Sequence, residues 1–487
     1  MIATKVRLTL WLAAIMVLAG CASRPVNEPI ARADPASGYR PYVLIPKIPN
    51  NDPTTLFLLA FSGGGTRAAA FSYGVLEELR RTEIVADGKK RRLVDEVDGM
   101  VGVSGGSFTA LSYALYGDRL FSEYEERFLK RDVQGWLTSQ ILNPFSWHKF
   151  VGGTAGRSDM AADYYDEILF QGATFGDLMN KGAPVAIAAA TDISTGARFA
   201  FYQQDFDLIC SDLSKMRLAR AAATSSAVPV VLSAMTFNNY GGTCGYQPPA
   251  WARDVADPDA RVRPSARSVQ RYKEMQDFQN SKERPYLHLV DGGVADNIGG
   301  RLILESLEQL GASASFREEA GVGGVRRVVI IVVNARSSPR TEWDKSENPP
   351  GMVSQLLQSA SVPIDRYSFE TIEAIKDRVQ IYTWRRDLRI AQFRLAGATE
   401  AEAEAKANAI VPNVDLYAVS VSFDEISDPQ ERAYFMELPT SFVLPPEAVD
   451  RLRDVAGRLM RQSPDYQRMV RALGGTLPEP AGAATGR

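Results

Sequence analysis

The feature that most restricts the fold is a unit that recurs along the chain: a short continuous apolar run, a break at glycine, serine or aspartate, then a segment with helical periodicity. Leu56-Phe57-Leu58-Leu59-Ala60-Phe61 breaks at Ser62-Gly63-Gly64-Gly65 and leads into Thr66 to Arg81, where Ala69, Tyr73, Leu76 and Leu79 fall at helical spacing. Met100 to Val103 runs through Ser104 into a segment reaching Tyr116, Val185 to Ala190 precedes Thr191-Asp192, Tyr286 to Val290 precedes Asp291, and Val328 to Val333 precedes Asn334. Apolar runs without alternation suit strands covered on both faces. Strands that alternate with helical stretches, here Lys215 to Ala223 and Arg301 to Leu310, build a mainly parallel sheet between helical layers. The expected fold is an α/β three-layer sandwich whose ligands gather at the carboxyl ends of the strands.

The N-terminus has a different character. Lys5 and Arg7 precede an apolar run, Leu8 to Leu18, that is too short to span a bilayer and fits a secretory leader over residues 1–20. Leu18-Ala19-Gly20-Cys21 resembles a bacterial lipobox, which implies lipidation of Cys21 and a place in the bacterial cell envelope; Ala22 after the cysteine favours the outer membrane. Residues 21–53 are rich in Pro, Ala, Arg and Asn and read as a flexible tether. Without Lys5 and Arg7 the formal charge falls from −3 to −5, so nucleic acid is not an expected partner. The basic cluster Lys89-Lys90-Arg91-Arg92 reads as a solvated loop. In an oxidising compartment Cys210 and Cys244 are free to form a disulfide. No cysteine and histidine cluster has metal-like spacing, and no metal or cofactor is expected.

Chemistry concentrates at three breaks. Gly102-Val103-Ser104-Gly105-Gly106 is a G-x-S-x-G pentapeptide between an apolar run and a helical segment, the setting of a nucleophile elbow that exposes a serine hydroxyl at a helix N-terminus. Gly63-Gly64-Gly65 lets successive amides turn toward one anion, and Arg67 follows as an anion partner or a structural residue. The chain has two histidines, His148 and His288, and both follow Ser104 in sequence. A conventional triad requires Ser104, Asp192 and His288. His288 lies three residues before Asp291 in one strand, so alternation sends the two side chains to opposite faces. A dyad of Ser104 with Asp291 as general base is the alternative, because burial raises the proton affinity of a carboxylate.

Together Ser62-Gly63-Gly64-Gly65-Thr66-Arg67, Gly102 to Gly106 and Asp291-Gly292-Gly293 resemble the patatin-like phospholipases in order and spacing. Ala190-Thr191-Asp192, Thr195-Gly196, Ser225-Ser226-Ala227-Val228-Pro229 and Asn297 resemble further family blocks, while Ala68 departs from a glycine common in the family's loop. The resemblance covers about residues 54 to 335. It implies that Ser104 attacks an acyl ester, that Asp291 takes its proton, and that the glycine loop, chiefly Gly64 and Gly65, holds the oxyanion. The expected substrate is a phospholipid or another acyl-ester lipid. Acyl transfer or thioesterase chemistry on the same dyad, and a silent lipid-binding role, remain open at this point. Residues 336–473 are expected to pack on the catalytic unit, and 474–487 to be a disordered tail.

Overall fold

The computed structural model describes residues 26–477 apart from 50, 87, 144–155, 230–231, 258–263, 339–340, 342 and 412. The leader, Cys21, His148 and residues 478–487 lie outside the described residues. In chain order the strands are β1 (Thr55–Phe61), β2 (Glu83–Ala86), β3 (Lys89–Arg92), β4 (Gly99–Val103), β5 (Val185–Asp192), β6 (Arg198–Ala200), β7 (Met235–Asn238), β8 (Tyr286–Asp291), β9 (Arg327–Asn334) and β10 (Asp415–Ser422). An eight-stranded sheet runs β10-β9-β1-β4-β5-β8-β7, with β6 paired to β5, and β2 and β3 form a separate hairpin. The core strands β10, β9, β1, β4 and β5 are all parallel. Helices cover the sheet, giving the expected mainly parallel α/β architecture, because β4, β5 and β9 are buried almost throughout and need cover on both faces.

β8 breaks the parallel pattern. It runs antiparallel to β5 in the register Ala190↔Asp291, Thr191↔Val290 and Asp192↔Leu289, while the parallel neighbour β4 pairs Val103 with Ala189. The carboxyl end of β8 therefore arrives from the far side at the level where β4 gives way to Ser104. A two-residue periodicity carries no sign of strand direction, so the sequence leaves this reversal unseen.

The principal helices are α1 (Gly65–Arg81), α2 (Gly105–Tyr116), α3 (Leu218–Ser225), α4 (Gly300–Ala312), α5 (Met352–Leu395), α6 (Glu400–Ile410), α7 (Pro446–Gln462) and α8 (Pro464–Ala472). α5 runs unbroken from Met352 to Leu395, with Pro363 inside it. The long charged stretch from Asn238 to Arg284 carries two helices of its own, Ala250–Ala256 and Ala266–Gln279. β10 joins the central sheet at its edge, and α7 packs along α1 so closely that a Cβ at Gly74 would stand 2.6 Å from the Arg453 carbonyl oxygen. Leu452, Val455, Leu459 and Met460 are buried on α7, each worth about 1.5 to 3 kcal/mol of burial. Residues beyond 335 thereby share the core of the central sheet.

Among the described residues, parts of two segments expected to be flexible are seated on the body. Asn27 to Lys47 are not a free tether: Ile30 and Ala33 donate backbone hydrogen bonds to the carbonyls of Cys210 and Cys244, Tyr39 is buried, and Arg40 forms a buried ion pair with Asp207 at 2.6 Å. Gly475 and Thr476, placed in the expected tail, donate to Val470 and Glu83. Both segments meet partners far away in sequence, a kind of stabilisation that composition cannot reveal. Cys210 and Cys244 are joined by a disulfide with a Cα–Cα distance of 5.5 Å. The basic cluster is the β3 side of the hairpin, and its charges are answered by Glu83, Glu96, Asp95 and Asp118.

Candidate active site

Ser104 sits between β4 and α2 with φ 48° and ψ −121°, a left-handed conformation that costs a non-glycine residue about 1 to 3 kcal/mol. The surroundings hold it there. Its amide donates to the Ser225 hydroxyl at 2.9 Å, Ser225 donates to the Ala189 carbonyl at 2.6 Å, and Ser107 donates to the Ser104 carbonyl through both its amide and its hydroxyl. Close packing explains the flanking glycines: a Cβ at Gly106 would stand 2.6 Å from the Phe61 and Ser62 carbonyl oxygens, and one at Gly105 would stand 2.0 Å from that of Gly65. The turn is therefore wedged against the end of β1, with its side chain 5% exposed.

Asp291 ends β8 at the same level and is 6% exposed. Burial pushes its carboxyl up to about 6; the Gly293 amide, which donates at 2.7 Å, and the Ser104 hydroxyl pull in the other direction. No cation is among the groups that act on it. A buried carboxyl with one amide donor, one hydroxyl donor and no counter-charge keeps a useful proton affinity near neutrality. Gly292 lets this turn approach β5, since a Cβ there would stand 2.4 Å from the Ala189 carbonyl oxygen.

The glycine loop divides its work differently from the sequence expectation. The Gly63 amide is committed to the Asn297 carbonyl at 2.8 Å and is unavailable as an oxyanion donor. Its part is steric, because a Cβ there would stand 3.3 Å from that of Ser104 and 2.4 Å from Asn297 Oδ1. Gly64, with φ 139°, and Gly65, with φ 60°, open α1, and their amides have no acceptor among the described residues. The helix N-terminus adds partial positive charge at the same point. Gly105, which touches Gly65, brings a further helix-initiating amide beside Ser104.

Arg67 lies against Gly64, but its guanidinium is committed to protein oxygens. It is buried and donates to the carbonyls of Ala335, at 3.0 Å, and Leu438, and to the Thr440 hydroxyl at 3.0 Å. Desolvation lowers its pKa to about 10. Arg67 is thus a structural residue held by neutral oxygens, with no ion pair among the described residues. The stretch Leu438 to Phe442 is a strap across the glycine loop: the Ser441 carbonyl accepts from the Thr66 amide at 2.8 Å, and Phe442 packs on Phe108, Phe128 and Tyr165.

Asp192 and His288 do not join Ser104. Asp192 is buried in an ion pair with Arg284 and accepts from the Thr195 hydroxyl at 2.6 Å. His288 is exposed, with Nδ1 3.1 Å from the Thr236 hydroxyl oxygen, on the face of β8 opposite Asp291. This removes the triad of Ser104, Asp192 and His288. No group of acidic, histidine or cysteine side chains among the described residues could hold a metal ion. Ser225 and Asn297, to which the sequence assigns no role, support the elbow and the glycine loop. The strap leaves no mark in the sequence, since nothing near Leu438 signals a contact with residue 67.

A sequence profile for the family Patatin-like phospholipase matches residues 59–300. No curated protein sequence matches the chain. Among solved structures, human GIVD cytosolic phospholipase A2 is 11% identical with a TM-score of 0.42, over 87% of this chain and 60% of that one. The same human enzyme in complex with methyl gamma-linolenyl fluorophosphonate is 11% identical with a TM-score of 0.37, over 89% and 62%. VipD from Legionella pneumophila is 10% identical with a TM-score of 0.23, over 83% and 67%. The chain thus spans about 60% of the length of the human phospholipase chains it matches. Residues 59–300, which carry the glycine loop, the Ser104 elbow and the Asp291 turn, are a domain of the patatin-like phospholipase family.

Proposed function

We propose that this chain is a serine acyl hydrolase of the phospholipase A or lysophospholipase type, held to a bacterial envelope membrane through lipidated Cys21. The observation that carries the reading is geometric: Ser104 at the end of β4 and the buried Asp291 at the end of β8 reach the same level on either side of β5, beside the amides of Gly64 and Gly65, which have no acceptor among the described residues. Ser104 Oγ attacks the acyl carbonyl carbon while its proton passes to Asp291, and the carbonyl oxygen takes the negative charge against the Gly64 and Gly65 amides. Collapse breaks the ester bond; Asp291 returns the proton to the departing alkoxide. Water then attacks the acyl-enzyme, giving its proton to Asp291 and from there to Ser104, and the fatty acid leaves.

Tethering favours this chemistry because it meets a membrane substrate at high effective concentration. Among the described residues no helix is long and apolar enough to cross a membrane, so the reading assigns attachment to the lipid on Cys21. The test is fatty acid release from mixed bacterial phospholipids by wild type and by Ser104→Ala. Release by wild type that the variant lacks supports the reading; equal, negligible release from both removes it.

A further inference from the structure

The helix α5 is 44 residues long and changes partners along its length. Its middle packs on the body, where Ser368, Ile372 and Ile375 are buried and Gly300 lies against Thr371 and Ile375. Its C-terminal half pairs with α6, through Arg386 on Asn408 and Lys406 over the ring of Phe393. On the side turned away from α6, Ile381, Trp384, Leu388 and Leu395 recur at helical spacing and are 42%, 61%, 59% and 90% exposed. Scattered surface leucines need no explanation, but four large apolar side chains in one row form a patch that calls for an occupant.

Charge identifies the occupant. Between Lys376 and Leu395 stand six cationic and two anionic side chains, in a chain whose net charge is −3. Arg378 is taken up by Glu308 and Arg394 by Glu400. Arg385 and Arg389, adjacent in sequence to Trp384 and Leu388, have no carboxylate partner among the described residues, and Arg389 reaches only Gln392. An apolar row edged by unpaired arginines and containing a tryptophan has the composition of a helix that lies in a bilayer interface. A second copy of this chain is a poorer fit, since its own Arg385 and Arg389 would meet these two across the contact.

We infer that the outer face of α5 from Ile381 to Leu395 is a docking ridge for anionic phospholipid surfaces. Trp384, Leu388 and Leu395 enter the boundary between headgroups and acyl chains, while Arg385 and Arg389 bind lipid phosphates. The ridge is distinct from Ser104 and does not depend on hydrolysis.

Flotation of the full chain tests this, with Cys21→Ser in every protein so that no acyl group contributes, on vesicles of phosphatidylcholine alone and of phosphatidylcholine with phosphatidylglycerol. The parent should float with the anionic vesicles. Trp384→Ser/Leu388→Ser and Arg385→Glu/Arg389→Glu should bind about tenfold more weakly or worse, Arg385→Lys/Arg389→Lys should retain binding, and all four proteins should cleave a soluble short-chain ester alike. Undiminished flotation of both disruptive variants overturns the ridge, as does equal parent binding to both vesicle types. A solution dimer that the same substitutions dissolve overturns it in favour of self-association. If the parent floats with anionic vesicles yet cleaves no ester, the ridge stands and the hydrolase reading falls.

Discussion

Asp192 and Asp291 are both buried, on adjacent antiparallel strands, within two residues of the same register level. Asp192 faces Arg284 and the Thr195 hydroxyl, whereas Asp291 faces one amide and the Ser104 hydroxyl. Depth is therefore not what separates them. A guanidinium beside a buried carboxylate compensates its charge and turns it into a structural tie; the same burial without a cation leaves the charge uncompensated and the carboxyl ready to accept a proton. One residue type thus supplies a structural tie and the base of the proposed dyad, and a single arginine makes the difference.

The sharpest way to break this contrast is Asp291→Asn, which should lower kcat for ester hydrolysis by about 10⁴-fold with the fold intact by circular dichroism. Asp192→Asn should do the reverse: a loss of about 3 kcal/mol in denaturant unfolding as Arg284 loses its partner, with kcat per folded molecule unaltered. If Asp192→Asn abolishes catalysis in a stable protein, the division of labour is wrong.

The third test uses stability against pH. Because the Asp291 carboxyl is raised from 3.8 to about 6 in the folded state, the native protein holds more protons than the unfolded chain between those values. Stability attributable to this residue therefore falls as pH rises through that window and stays low above it. Asp291→Asn should accordingly be more stable than wild type at pH 8, by about 2 to 3 kcal/mol, with the gain vanishing below pH ~4. In the same window kcat/KM of wild type should climb with pH and level off above about 6, as the base loses its proton. The smallest expected effect is that of His288→Ala, an exposed site, where activity should remain within about twofold.

The strands and the three chemical breaks were legible because each violates the habits of its own element. Ser104 interrupts an apolar run between glycines, three glycines end a strand, and Asp291 closes one. Local pattern carries that much. What it could not carry was contact between distant residues: the reversal of β8, the capture of the Gly63 amide by Asn297, the seating of Asn27 to Lys47 on the disulfide loop, and the burial of Arg67 under Leu438 and Thr440. Arg67 is the instructive case. A cation one turn into a helix beside a glycine loop has the sequence context of an anion ligand, yet its carbonyl partners lie more than 250 residues away, where backbone oxygens leave no mark in the sequence.

The strap across the glycine loop also changes what counts as the smallest working piece of this protein. Residues 59–300 hold Ser104, Asp291 and the glycine loop, yet the oxygens that take up Arg67 and Thr66 belong to Ala335, Leu438, Thr440 and Ser441. A fragment trimmed to the family match would keep both residues of the proposed dyad and leave a buried guanidinium without its acceptors. The boundary drawn by sequence similarity is narrower than the one drawn by hydrogen bonding.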